Sequence, residues 1–263
     1  MGGLNIRIKI MVAAHKEFPM PRDKQLYLPV LVGAEKNWNK CIVGYQRDDE
    51  GENISKKNSN YNELTAIYWA WKNLKDTDAI GLVHYRRFLV NSSSSKKIIT
   101  GDRVEQLLSD FDVIVPKRRK YYIESNYSHY IHAHHREPLD ILRRVIKKQD
   151  YRYLMAFDKV MRADSAHMFN MFVMKRKLFN EYASWLFSLL SEVEKRVDIS
   201  EYDQQEARVF GYLSEILLDV WLETNKISYV EVPWKQIGKR HLFKKAIRFL
   251  GRKIGLGKFN YHI

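Results

Sequence analysis

Two guanidiniums stand side by side at Arg86 and Arg87, directly after His84 and Tyr85 and the apolar run 79–83. Adjacent guanidiniums at a strand end can clamp a diphosphate through bidentate contacts, although the same string also reads as a basic surface turn. A second group, Asn53-Ile54-Ser55-Lys56-Lys57-Asn58, leads into an apolar helix. Free N–H groups and the helix dipole there favour a phosphate or a sugar oxygen, and ordinary capping would use the same residue types. A third pair, Arg208 and Glu215, lies seven residues apart on a helix that starts at Gln204, with Gly211 between them on the same stripe. Glu215 there could serve as a base or be oriented through Arg208; the bland alternative is a solvated face with weak ion pairs.

Four histidines, His129, His132, His134 and His135, have the number of a metal site. Their neighbours are Tyr127, Tyr130 and Arg136, and the spacing fits no zinc pattern. Contacts to a sugar, a phosphate or an acceptor remain open, as does plain surface. His167 and Asn170 flank a strand start in the string that opens at Asp164, whose Met and Phe residues read as core. The two Asp-x-Asp strings, 76–78 and 110–112, each precede a strand. Ligands of open α/β sheets gather at the opposite, carboxyl ends, so these aspartates read as turn and capping residues. Cys41, the single cysteine, sits in an apolar run and reads as a core thiol; one thiol forms no internal disulfide and suits a reducing compartment.

These residues need elements to position them. The pattern gives strands over 6–13, 79–83, 112–116, 168–174 and 227–232, with short apolar segments at 26–32 and 41–45. Helices are expected over 60–74, with Asn60 and Glu63 as an approximate capping box, and over 101–109, 138–148, 179–197 and 204–224. Strands alternating with helices predict an α/β fold with a mixed, mostly parallel sheet. The 263 residues fit one large domain or a domain with a tail, and 45% hydrophobic with 29% charged residues excludes a disordered chain. No apolar run approaches the roughly 20 residues that span a bilayer, and the first residues lack a secretory pattern, so a cytoplasmic protein is expected. The net charge of +14 implies anionic partners. Much of it lies in 239–258, which holds eight Lys and Arg and no acid, interleaved with Leu242, Phe243, Ala246, Ile247, Leu250 and Ile254. That is the pattern of a basic amphipathic helix on an anionic membrane surface, or of a helix docked on the domain. The basic, aromatic stretch 118–136 raises a nucleic-acid reading, which no recognised binding motif supports.

The strings Ala13-Ala14-His15-Lys16, Asn53 to Asn58, Glu63-Leu64-Thr65-Ala66-Ile67-Tyr68-Trp69-Ala70-Trp71-Lys72-Asn73, Gly81-Leu82-Val83-His84-Tyr85-Arg86-Arg87-Phe88, His167-Met168-Phe169-Asn170-Met171-Phe172 and Gly211-Tyr212-Leu213-Ser214-Glu215 resemble a capsular and exopolysaccharide biosynthesis family. It has long been known as a domain of unknown function, and some members are galactofuranosyltransferases. The resemblance covers about residues 8–232. It implies a GT-A-like nucleotide-sugar domain over 1–235, followed by the basic tail 236–263. It further implies a UDP-sugar donor, with UDP-galactofuranose the leading choice, and a lipid-linked capsule, exopolysaccharide or O-antigen acceptor. The enzyme would work peripherally at the inner face of the cell membrane, with no nucleic-acid partner. A non-catalytic module of the capsule machinery is the alternative. On this reading Glu215, Arg208 and Asp164 are catalytic. His15, Lys16, Ser55, Lys57, Asn58, Glu63, His84, Tyr85, Arg86 and Arg87 hold the donor, and His134, His167 and Asn170 meet the acceptor. The usual GT-A metal motif is replaced at the equivalent strand end by 84–87, so no metal ligand is assigned and Mn or Mg dependence stays open.

Overall fold

An apolar, breaker-free run makes the central strand β1 (Ile8–Ala14), and it is buried on both faces because helices cover both. The computed structural model describes residues 6–94 and 97–237. In it β1 lies parallel to and between β2 (Tyr27–Leu31) and β4 (Ala79–His84), and β3 (Gln46–Arg47) extends the sheet beyond β2. On the other side β9 (Phe172–Lys175) runs antiparallel to β4 and to β6 (Val113–Pro116), and β10 (Tyr229–Val232) is parallel to β6. The expected mixed, mostly parallel sheet is therefore what forms, with β9 the reversed strand inside it. At the end of β4 the chain turns back as β5 (Arg87–Leu89), against which β11 (Trp234–Gln236) pairs antiparallel. A separate ladder joins β7 (Arg119–Lys120) to β8 (Ser165–Ala166).

Alternation along the strands divides the core in two. Met11, Ala13, Ile80 and Leu82 face helices α3 (Leu64–Asn73), α6 (Arg136–Gln149), α7 (Tyr151–Arg162), α8 (Arg176–Glu194) and α9 (Val209–Asn225). Ile10, Val12, Ala79 and Val83 face the other way, toward Val104, Leu107 and Leu108 of α4 (Gly101–Asp110). No helix among the described residues is long and apolar enough to cross a membrane. The basic tail lies outside the described residues from 238 onward, and β11 runs through Gln236, across the boundary expected at 235.

Several expectations change. The helix read over 60–74 is two helices, α2 (Asn58–Tyr61) and α3, broken where Asn62 takes φ 51°. The capping box does not form: Asn60 donates instead to the Ala207 carbonyl at 2.8 Å. The strand read from 168 starts only at Phe172, because Phe169 and Asn170 have φ of 78° and 53°. The helix read from 204 starts at Val209, and α7, missed in the sequence, is capped by Asp150, whose side chain accepts from the Arg152 N–H. Cys41 is exposed, as is Val43, so that apolar segment is a surface loop and Cys41 is not a core thiol.

One buried carboxylate ties the β2 side of the sheet to α3. Asp48, fully buried, accepts from the Gly33 and Ala34 N–H groups (2.8 and 2.9 Å) and from the Ser55 and Thr65 hydroxyls (both 2.5 Å). Gly33 is needed: its φ is 62°, and a Cβ there would lie 2.6 Å from Asn58 Oδ1. Ser55 is thus enclosed with its hydroxyl committed to Asp48. Lys57 pairs with Glu194 at 2.7 Å, and Asn58 donates to the Asn62 carbonyl (2.7 Å) and Thr65 (3.2 Å). These three expected donor contacts are thus engaged in scaffold bonds beside the turn that follows β2. Asp48→Ala should lower unfolding stability in urea by about 3 kcal/mol, since four donors lose a charged acceptor in the interior. A loss below about 1 kcal/mol would show that water replaces the carboxylate.

Candidate active site

The carboxyl ends of β1 and β4, the turn before β9 and one stripe of α9 meet in a single place. His84 closes β4, and its Nε2 donates to the Phe169 carbonyl at 2.6 Å. The same nitrogen is 4.0 Å from Glu63 Oε1, at the start of α3. Asn170 is buried, and its amide donates to Glu63 Oε1 at 2.7 Å and to the Gly211 carbonyl at 3.3 Å. Two consecutive non-glycine residues at positive φ, Phe169 and Asn170, cost about 1–2 kcal/mol each and must be held by their surroundings.

His167 does the holding. It is 1% exposed; its backbone N–H donates to Asp219 Oδ2 at 3.0 Å, its Nδ1 donates to Asp219 Oδ1, and its Nε2 meets Glu231 Oε1 at 3.1 Å. Arg118 closes the group, 3.7 Å from Asp219 and 3.4 Å from Glu231. Both ring nitrogens of His167 are therefore occupied by protein, and the ring is walled off from any acceptor. The expected acceptor contact is corrected to a strut beneath the turn. Asn170 is likewise buried and acts on Glu63.

Gly211, Glu215 and Asp219 recur every four residues and so share one stripe of α9. Gly211 leaves room for Asn62, whose Nδ2 would lie 2.2 Å from an added Cβ. Asn62 Oδ1 in turn accepts from Arg208 Nε at 2.9 Å. Glu215 is partly accessible. Its pKa is pushed up to about 8, first by burial and next by the negative charge of Glu63, with Arg87, Arg119 and Arg208 opposing. Arg87 stacks over the Phe169 ring at 4.3 Å; burial lowers its pKa while Glu215 and Glu63 raise it. Two carboxyl groups thus face three guanidiniums.

Beside this centre lies an aromatic wall. His15 is edge-on to Tyr85 (5.3 Å), which is edge-on to Phe18 (5.0 Å), and Arg86 lies 5.1 Å over the Tyr85 ring. Tyr45 fastens Phe18 through both its backbone N–H and its carbonyl, each at 2.9 Å. Burial, then Lys16, Arg86 and Arg208, hold the His15 pKa below 6.5, so the imidazole is neutral at pH 7. Lys16 is exposed next to it.

On the α9 side His134 stacks on Tyr212 at 3.9 Å and Tyr121 stacks on His129 at 3.9 Å. Glu124 receives His129 and His132, each at 3.0 Å, and His135 stacks on Tyr202 at 4.2 Å. The histidines thus fall into three places, His129 and His132 on Glu124, His134 on Tyr212 and His135 on Tyr202. Asp164 is exposed; its backbone carbonyl accepts from Tyr121 N–H at 2.8 Å, and no carboxylate contact joins it to Glu215. The Asp-x-Asp strings lie at the amino ends of β4 and β6. There Asp78 accepts from Arg7 N–H (2.7 Å) and Asp112 from Lys175 (2.9 Å). Among the described residues no three His, Cys, Asp or Glu are grouped to hold a metal.

Sequence reading missed Asn62, Arg119, Tyr121, Tyr212, Asp219 and Arg118 as partners of the site. A signal existed for Asp219, the lone acid inside the apolar run Ile216–Leu222 and four residues after Glu215.

The family model of the domain of unknown function DUF4422 matches residues 9–226. A solved structure described as the apo form of the bifunctional glycosyltransferase WbbM superposes with a TM-score of 0.80 at 26% identity, over 88% of this chain. The chain spans 45% of that chain's length. No curated protein matches.

Glu215 retains a proton that the unfolded chain gives up near 4.5. Between that value and about 8 the native state binds more protons than the unfolded one, so this group makes stability fall as pH rises through the window. Glu215→Gln should therefore unfold at a higher temperature than the parent at pH 8. In carboxyl-resolved NMR titration, Glu63→Gln should lower the Glu215 midpoint; an unmoved midpoint would show that the two groups do not sense each other.

Proposed function

The chain belongs to the DUF4422 family, and on that premise we propose that it is a glycosyltransferase that uses a nucleotide-sugar donor and a glycan acceptor. The observation that carries this reading is the group at the carboxyl end of β4, where His84 and Asn170 approach Glu63 and where the charges of Glu63, Arg87, Arg119 and Arg208 all act on Glu215. The fold likeness to a glycosyltransferase supports it. The finer reading is transfer of galactofuranose from UDP-galactofuranose to a lipid-linked capsule, exopolysaccharide or O-antigen acceptor. The chain would sit at the inner face of the membrane through its basic C-terminal segment.

The chemistry is one displacement at the anomeric carbon. The acceptor oxygen forms its bond to that carbon as the bond to the diphosphate oxygen breaks, and UDP leaves. Ionised Glu215 takes the acceptor hydroxyl proton. A carboxylate with a pKa near 8 is a stronger base than an ordinary one, at the expense of being mostly protonated at pH 7. Burial and then Glu63, fixed by Asn170, keep that value raised, and Arg87, Arg119 and Arg208 oppose them. The Tyr85–Phe18–His15 wall suits a nucleobase and its ribose, with Arg86 at its edge to offset charge on the departing diphosphate. Tyr212 and Tyr121, stacked on His134 and His129, offer flat faces for a sugar acceptor, and Asp164 lies at that rim.

Thermal-shift and calorimetric binding of a UDP-sugar panel is the first test. Selective stabilisation by UDP and UDP-galactofuranose is expected, and no response to any nucleotide sugar would remove the transferase reading. Excess chelator, with manganese added back, decides metal dependence. With a responsive donor in hand, kcat/KM should rise as pH approaches about 8. Glu63→Gln should move that limb to lower pH. Glu215→Gln should cut turnover about 100-fold or more with folding intact, and near-normal turnover would overturn the base assignment.

A further inference from the structure

Between β7 and α5 (Asn126–Ala133) the chain makes a tight tip in which Ile123 N–H donates to the Tyr121 carbonyl at 2.7 Å across Tyr122, whose φ is 63°. The tip is held from both sides. Tyr121 is fixed by the Asp164 carbonyl, by Met168 Sδ at 3.2 Å from its hydroxyl and by the His129 ring, and Glu124 is fixed by His129 and His132. Between these anchors Tyr122 and Ile123 are presented to solvent at 85% and 67% exposure. An apolar pair displayed on a braced turn, with a non-glycine residue in the left-handed region, is unfavourable in water unless something covers it. Directly before it comes Lys117-Arg118-Arg119-Lys120, of which Lys117, Arg119 and Lys120 are exposed. Lys117 and Lys120 have no ion-pair partner among the described residues, and Asp164 is the exposed acid alongside. An exposed Tyr–Ile tip flanked by cations has the chemistry of the bilayer interface, where aromatic rings sit at headgroup depth and Lys and Arg meet anionic lipid.

We propose that the Tyr122–Ile123 tip, with Lys117, Arg119 and Lys120, docks on an anionic bilayer surface. The contact is distinct from the basic C-terminal segment. It stands on this surface alone, whether or not the chain transfers a sugar.

The test uses the full chain. Cys41 is the single cysteine and is exposed, so a Cys41→Ser background accepts one dye site at a time. A nitrobenzoxadiazole label at Ile123→Cys is expected to shift to the blue and brighten on vesicles of phosphatidylcholine with phosphatidylglycerol, and much less on phosphatidylcholine alone. The same label at Ser109→Cys, in the last turn of α4 before β6 and so at the other end of that strand from the tip, should stay silent. In the parent background Tyr122→Asp with Ile123→Asp should weaken vesicle co-sedimentation about tenfold or more while leaving UDP-sugar stabilisation unchanged. A silent label at 123 on vesicles that do carry the protein would assign attachment to the C-terminal segment alone and overturn the proposal. So would a double variant that sediments like the parent, or a parent that does not sediment. Failure of the transferase reading is registered separately, in the UDP-sugar panel.

Discussion

Burial of the Glu215 carboxyl, reinforced by the negative charge of Glu63, pushes its pKa up to about 8, and much of the surrounding structure answers that penalty. Arg87, Arg119 and Arg208 approach from three different elements, and each lowers the penalty without forming a close bridge to Glu215. Asn170 fixes Glu63 with a neutral donor, so that one carboxylate is oriented while the other is left to titrate. A tight salt bridge to Glu215 would have stabilised the fold more and made a poorer base.

That arrangement depends on α9 carrying three functions on one stripe. Gly211 supplies a carbonyl for Asn170 and the space for Asn62, Glu215 supplies the titrating group, and Asp219 anchors His167. The turn at Phe169 and Asn170 is the opposing surface. It is held in an unfavourable backbone conformation by the buried His167–Asp219 pair below, which Glu231 and Arg118 close from the surface, and by His84 above. Strain at the turn and the polar group beneath it are therefore one device.

Much of this was legible in the sequence and some was not, for physical reasons. The alternation of apolar runs fixed the α/β class, and the polar residues after β1 and β4 marked the strand ends where the site lies. That Arg208 and Glu215 stand along one helix was readable because helical spacing is local. The scaffold bonds of Ser55 and Asn58 were not legible because a buried acceptor, Asp48, organises the loop, and no local pattern reveals that a carboxylate seven residues upstream of Ser55 is interior. His167 was misplaced because its partners lie 52 and 64 residues away. Cys41 was misread because a short apolar run carries no information about which side of the chain is covered. The break at Asn62 was hidden because its cause, the close approach to Gly211, is tertiary.

β11 gives the molecule a built-in leash point. It pairs with β5 in antiparallel register, Gln236 opposite Arg87, and Ile237 N–H donates to the Arg86 carbonyl at 2.8 Å. The polypeptide therefore leaves the described body one hydrogen bond from the two arginines at the end of β4. A displacement of β11 is therefore felt directly by the strand that carries Arg87.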